Sequence, residues 1–329
     1  MKPFTYLRAD DAESAVELAA TTGGRYLAGG TNLIDLMRHG VEAPEVLVDV
    51  RSLARRIEIE PDGTLMIGAG AGNTEVAEHA VVRTDFPLIS RAILNGATGQ
   101  IRNMATVGGN LLQRPRCLYF YDTASPCNRR EPGTGCHAIG GATHNHAVLG
   151  HSAHCVATHP SDLCVALAAL DARVHLYGPA GPRVVDLLDF HLLPGDTPAR
   201  ETVLQPHELI TAVSVPPLPW GRRCTYRKVR ERASYAFALV SVAAALDVAG
   251  GVVRQARLAL GGVAAKPWRA RQAEELLRGQ PVSPALFEAA ARSALEGAVP
   301  LPDNAYKIPL ATRSVVAALT QLADHQEAP

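Results

Sequence analysis

The chain has no Cys-x-x-Cys pair, no Gly-x-Gly-x-x-Gly run, no long apolar stretch and no excess of charge. Each absence weighs against a class of function. Dithiol redox catalysis loses its usual motif, and structural zinc loses the close ligand pairs it normally draws on. A Rossmann dinucleotide site is excluded with its glycine fingerprint. Lys and Arg number 32 against 32 Asp and Glu, with no basic block, which argues against nucleic acid as the main partner. No apolar run reaches the roughly 18 residues of a membrane span. Aromatic residues are only 5% while alanine is abundant, a composition suited to helices packed through small side chains. Met1-Lys2-Pro3-Phe4 runs straight into a polar segment with no apolar h-region, so the expected compartment is the cytoplasm.

What the chain does have is concentrated between Ile101 and Cys164. Five of the six cysteines (Cys117, Cys127, Cys136, Cys155 and Cys164) and six of the twelve histidines fall there. A disulfide framework is the weakest explanation, because 329 residues can bury a large core without staples. The gaps are wide: nine residues from Cys117 to Cys127, eight to Cys136, eighteen to Cys155. Four thiolates spread along a Gly-, Pro- and His-rich loop suit a four-thiolate cube such as [4Fe–4S], though spacing alone leaves zinc open. Cys164 lies in the apolar helical run Asp162–Leu170 and Cys224 lies far along the chain, so both are expected to be buried packing residues. The loop histidines are left out of the ligand set, since such residues more often meet solvent or backbone.

Length points to about two domains. Residues 10–22 form an amphipathic helical pattern with acidic residues in its first turn. Arg25 to Met37 then reads as a short strand, a Gly29-Gly30 turn and a helix, where unhindered amides could cradle a phosphate. Val46–Val50 is a strand. Pro61-Asp62-Gly63 turns a hairpin between 57–60 and 65–68. Asn73 begins a helix as a plausible cap, and 88–94 is another helix. A second glycine turn, Thr106 to Asn110, could close on the same diphosphate as the first. Strands at 174–177 and 183–186, then alternation over 210–215, precede Pro216-Pro217-Leu218-Pro219, which breaks the chain. Beyond it, 225–230, 238–248 and 252–260 are strand-like with Gly250-Gly251 at a hairpin turn, and helices follow at 270–277, 284–296 and 312–323. The expected domains are therefore 1–216, with a Cys-rich insertion at about 112–158, and 217–329.

Ala28-Gly29-Gly30-Thr31-Asn32-Leu33, Ile101 to Leu111, His159-Pro160-Ser161-Asp162-Leu163, Tyr226 to Arg230 with Tyr235 to Ala238, and Leu260 to Pro267 occur in that order. Together they resemble the FAD-binding subunit of the molybdenum hydroxylases, the family of xanthine dehydrogenase, carbon monoxide dehydrogenase and aldehyde oxidoreductase. The resemblance covers nearly the whole chain. It implies an α+β fold: a two-subdomain PCMH-type (vanillyl-alcohol-oxidase-like) FAD-binding domain, then a three-stranded antiparallel sheet covered by helices. The long insertion, with Ser125-Pro126-Cys127-Asn128 and Gly135-Cys136, is similar to the branch that carries an extra [4Fe–4S] cluster, which includes periplasmic aldehyde oxidoreductases and 4-hydroxybenzoyl-CoA reductases. On that resemblance Cys117, Cys127, Cys136 and Cys155 would hold the cluster, and iron–sulfur moves ahead of zinc. Leu27, Ala28, Gly29, Gly30, Thr31, Asn32, Leu33 and Ile34 would wrap the FAD diphosphate, with Thr106, Val107, Gly108, Gly109 and Asn110 on its other side. Asp162 would bind a polar edge of the flavin or its ribityl chain, Lys228 would lie near the ring and Ile210 would pack beside it. Arg114, Arg116, Arg129 and Arg130 are candidates for raising the cluster's potential.

The resemblance implies electron transfer with no catalytic residue on this chain. A molybdenum-cofactor large subunit and a [2Fe–2S] small subunit would be partners in a heterotrimer that serves an external electron acceptor. Export of a folded complex on a partner's twin-arginine signal would place it in the periplasm. A stand-alone FAD reductase of the same fold is the competing function, and a zinc-loop binding module is a third. The first of these would need a substrate pocket with paired acid and base residues.

Overall fold

The computed structural model describes residues 1–324; residues 325–329, the end of the expected C-terminal domain, lie outside it. The first layer is a small parallel sheet in the order Thr5–Arg8, Val46–Asp49, Arg25–Leu27. Parallel neighbours need crossovers, and Ala12–Thr22 and Leu33–Arg38 are the helices that supply them. The first starts where the acidic cluster placed it. Asp11 is the N-cap, its carboxylate accepting from the Ser14 amide at 2.7 Å, and Gly23 ends the helix in the left-handed region at φ 66°.

The second sheet is antiparallel, in the order Ile57–Ile59, Leu65–Gly68, Leu209–Val215, Arg173–Gly178, Gly181–Asp186. The main core lies between this sheet and the helices Pro87–Asn95 and Asp162–Ala169. The Asp162–Ala169 helix is buried almost all round, which is why it reads as a continuous apolar run rather than a stripe. Cys164 and Cys224 both belong to this core, and burial pushes their thiols up to about 12 and about 11. Both are buried, as the sequence implies.

The third sheet has four strands, in the order Trp268–Arg269, Val252–Gly261, Val240–Ala249, Cys224–Val229, where three were expected. The added edge strand is two residues long and follows Lys266-Pro267, too short to show any alternation. Gly250 and Gly251 make the hairpin turn at φ 59° and 75°, the left-handed pair that a type I′ turn demands. Arg271–Leu277, Pro284–Ala294 and Lys307–Asp324 cover the sheet and enclose the second core. The Lys307 side chain is fully buried there and donates to the carbonyls of His146 (2.9 Å) and Gly262 (2.7 Å). No described helix is long and apolar enough to cross a membrane.

The Asn73–Glu78 helix is capped differently from expectation. Gly72 is the N-cap and Glu75 reaches back to its amide at 2.9 Å; the Asn73 side-chain oxygen is buried without a partner.

Candidate functional site

The two glycine turns meet. A Cβ built on Gly29 would lie 1.8 Å from the Met104 carbonyl oxygen and 3.2 Å from the Ala105 Cα. Gly30 turns the chain at φ 72°. The turns are not equivalent as donors. Among the described residues, the amides of Gly29, Gly30 and Thr31 have no protein acceptor. In the second turn, the Val107 amide donates to Ala71, Gly108 to Ala69 and Gly109 to the Thr106 hydroxyl, which caps the Val107–Leu111 helix. The first turn therefore presents open N–H groups, which fits an anionic phosphate, and Gly29 is needed for its close approach to the Met104 carbonyl. The second turn is committed to packing beneath it. Asn32 adds a buried side-chain nitrogen with no partner, while its oxygen accepts from the Arg114 amide at 3.0 Å.

Asn110 accepts from Ser161, and Ser161 in turn caps the Asp162–Ala169 helix by accepting from the Cys164 amide. This chain of bonds fixes Asp162 relative to the second turn. Asp162 and Lys228 come together as an ion pair at 2.7 Å, with the Lys228 side chain 1% exposed, so its ammonium does not face water. Lys228 also donates to the Asn95 carbonyl (3.1 Å), and the Tyr226 hydroxyl donates to Asp162 at 2.7 Å. Burial next to this carboxylate pushes the Tyr226 phenol well up. A charge neutralised at that distance exerts a far weaker field than a lone ammonium. Ile210 is buried in the main core, on a strand that packs against the Val107–Leu111 helix.

Two histidines that were given no role anchor the same helix. His191 Nε2 lies 2.8 Å from the Leu111 carbonyl, and the His159 and His191 rings meet edge to face at 4.4 Å. Their ligand atoms and the Cys164 sulfur form the one such triad within 4.8 Å among the described residues. Burial holds His159 neutral and lowers His191 to about 4. The unfolded chain takes up its proton near pH 6.5 and the folded chain only near 4, so stability falls as pH drops through that interval. At about 1.4 kcal/mol per unit the loss is a few kcal/mol. Urea titrations between pH 7 and 4 should show this slope, and His191→Gln should flatten it.

The 112–158 segment is ordered by its own polar side chains. Its one helix is Leu118–Tyr121, and Cys127 pairs with Cys136 in an isolated antiparallel bridge. Asn128 is the centre of the loop. It accepts from the amides of Gly133 (3.1 Å) and Gly135 (2.8 Å) and donates to the His154 carbonyl (3.1 Å), holding the backbone beside Cys127, Cys136 and Cys155. Cys117 packs with Leu36, Phe120 and Cys127, which ties the loop to the helix that follows the first glycine turn. His146 Nε2 lies 3.2 Å from the Cys117 sulfur. The four cysteines are free thiols close enough to feel one another's charge: Cys117 senses Cys127 and Cys155, and Cys136 senses Cys155. Burial pushes the Cys117 thiol up to about 11 and raises Cys136. The orphaned buried nitrogens of Arg129, Arg116 and His146 are donors and acceptors in the same loop with no protein partner.

Comparison with known proteins adds to this geometry. The family described as "FAD binding domain in molybdopterin dehydrogenase" matches residues 2–218, and "CO dehydrogenase flavoprotein C-terminal domain" matches residues 224–322. The chain is 49% identical to the aldehyde oxidoreductase FAD-binding subunit PaoB of Escherichia coli over 98% of both chains. It is 28% identical to the glyceraldehyde dehydrogenase medium chain of Sulfolobus acidocaldarius, over 84% of this chain and 82% of the other. Carbon monoxide dehydrogenase from Hydrogenophaga pseudoflava, a solved structure, superposes with a TM-score of 0.76 at 25% identity, over 97% of this chain and 96% of that one.

Proposed function

From the premise that this chain belongs to the family of FAD-binding subunits of the molybdenum hydroxylases, we propose that it is the electron-transfer subunit of a multi-subunit, molybdenum-dependent aldehyde oxidoreductase. The observation that carries the aldehyde assignment is the 49% identity to PaoB across both full lengths. The partners are a large subunit with the molybdenum cofactor and a small subunit with [2Fe–2S] centres. Bound FAD supplies the exchange between one-electron and two-electron transfer, so that electrons from partner centres can leave to an external acceptor.

The residues divide the work. Leu27 to Ile34 hold the diphosphate, with the open amides of Gly29, Gly30 and Thr31 as donors. Thr106 to Asn110 form the floor that keeps this turn in place. Asp162 and Lys228 fix the junction between the FAD domain and the C-terminal sheet beside the flavin, and Ile210 lines the apolar side. Cys117, Cys127, Cys136 and Cys155 hold a [4Fe–4S] cluster of the chain's own. A single tetrahedral ion at thiolate distances of about 2.3 Å needs its sulfurs roughly 3.8 Å apart; no three of these four sulfurs lie within 4.8 Å of one another. That spacing counts against a single zinc ion; the cluster itself rests on the resemblance of the cysteine loop.

Iron and acid-labile sulfide assays on the anaerobically purified complex test the cluster. About four irons per chain are expected beyond those of the small subunit's [2Fe–2S] centres, and Cys127→Ser should lose those four while FAD and the [2Fe–2S] iron are retained. Zinc in place of iron would remove the cluster from this reading.

A further inference from the structure

Of the four arginines in the cysteine loop, one stands apart. Arg114 is spent on Glu42 and Glu201. Arg116 pairs with Asp35 at 3.0 Å, and Arg130 donates to the carbonyls of Tyr119, Phe120 and Ser125. Arg129 is 5% exposed, and its Nη2 donates to the Cys155 sulfur at 3.6 Å. Its Nη1 meets Glu201 Oε2 at 3.1 Å, and its Nε, also buried, has no partner.

Its one carboxylate partner is shared. Glu201 is shared between Arg114 and Arg129, and Glu42 between Arg114 and Arg25. Arg25 is 57% exposed and meets only Glu42, at 3.7 Å, so the guanidinium that donates to the Cys155 sulfur is that of Arg129, with a carboxylate partner it must share. A buried cation with a donor on a ligand sulfur stabilises the more negative, reduced state of any iron–sulfur group held there.

We propose that Arg129 is the positioning residue that raises the reduction potential of the group in the cysteine cage, and that Glu201 holds it and partly offsets its charge. The proposal rests on the cluster reading above. The two residues should therefore act with opposite sign, which a purely structural role would not give. Arg129→Gln removes the cation and should shift the midpoint negative. The expected shift is at least a tenfold change in the reduced-to-oxidised ratio at fixed potential, or 59 mV for one electron. Glu201→Gln leaves the cation uncompensated and should shift the midpoint positive. Arg129→Lys, which keeps the charge, should lie between wild type and Arg129→Gln.

The experiment is a redox titration of the intact complex followed by low-temperature EPR, with iron and sulfide counted in each variant. Opposite shifts at unchanged iron content support the proposal. An unmoved midpoint in Arg129→Gln with full iron overturns it. If Arg129→Gln does not retain the cluster, Glu201→Gln decides alone: a positive shift supports the proposal, and no shift or a negative one overturns it. A wild-type complex with no iron beyond its [2Fe–2S] complement would instead remove the cluster reading itself.

Discussion

Gly29→Ala is expected to yield a folded chain that purifies with little or no flavin. The new methyl group would sit 1.8 Å from a backbone carbonyl oxygen and 2.7 Å from its carbon. Backbone cannot swing aside as a flexible side chain can. The first turn must lift off the second, and the open amides move with it. Overpacking of this kind costs about 1–3 kcal/mol, which at 1.4 kcal/mol per decade weakens FAD binding by roughly 5- to 140-fold. Gly40→Ala is the matched comparison: it sits at φ 73° with nothing within 4 Å of the added carbon. Its cost is the left-handed strain alone, about 1–2 kcal/mol, and its flavin content should match wild type. The ratio of flavin to protein absorbance after gel filtration, with a melting curve for each variant, separates the two.

Lys228→Met should be the most destabilising single change at the junction of the two domains. Removing one partner of a buried ion pair leaves the other charge uncompensated, at about 3–5 kcal/mol. Asp162 would keep only the Tyr226 hydroxyl. The double variant Asp162→Asn/Lys228→Met removes both charges and should recover most of the loss. Denaturant titration of the four proteins in the cycle gives the coupling directly. A loss in Lys228→Met that the second substitution does not repair would mean that Lys228 acts on something other than Asp162.

Local elements were readable from the sequence because their signals are local. Asp11 and the acidic first turn mark the Ala12–Thr22 helix, and Gly250-Gly251 marks its hairpin. The crowding of cysteines between 117 and 155 marks the loop in which four free thiols gather. What could not be read depends on chain segments that meet from far apart. Glu201 reaches Arg129 from well outside the loop, and Lys228 finds Asp162 across 66 residues. The strand order of the antiparallel sheet places Leu209–Val215 between Leu65–Gly68 and Arg173–Gly178, a pairing no periodicity encodes. The two glycine turns look alike in sequence, yet one keeps its amides open and the other spends them. That difference comes from Ala69 and Ala71, whose carbonyls take the second turn's N–H groups. The Pro-Cys-Asn sequence carried a family resemblance; its physical content is the Asn128 side chain, which ties three cysteine segments together.

The most direct test of electron transfer through this chain is anaerobic mixing of the intact complex with an aldehyde, with the flavin band followed in a stopped-flow spectrometer and no external acceptor present. Bleaching of the flavin after the partner iron–sulfur centres are reduced is the expected result. Reduction of those centres with the flavin left oxidised would contradict it.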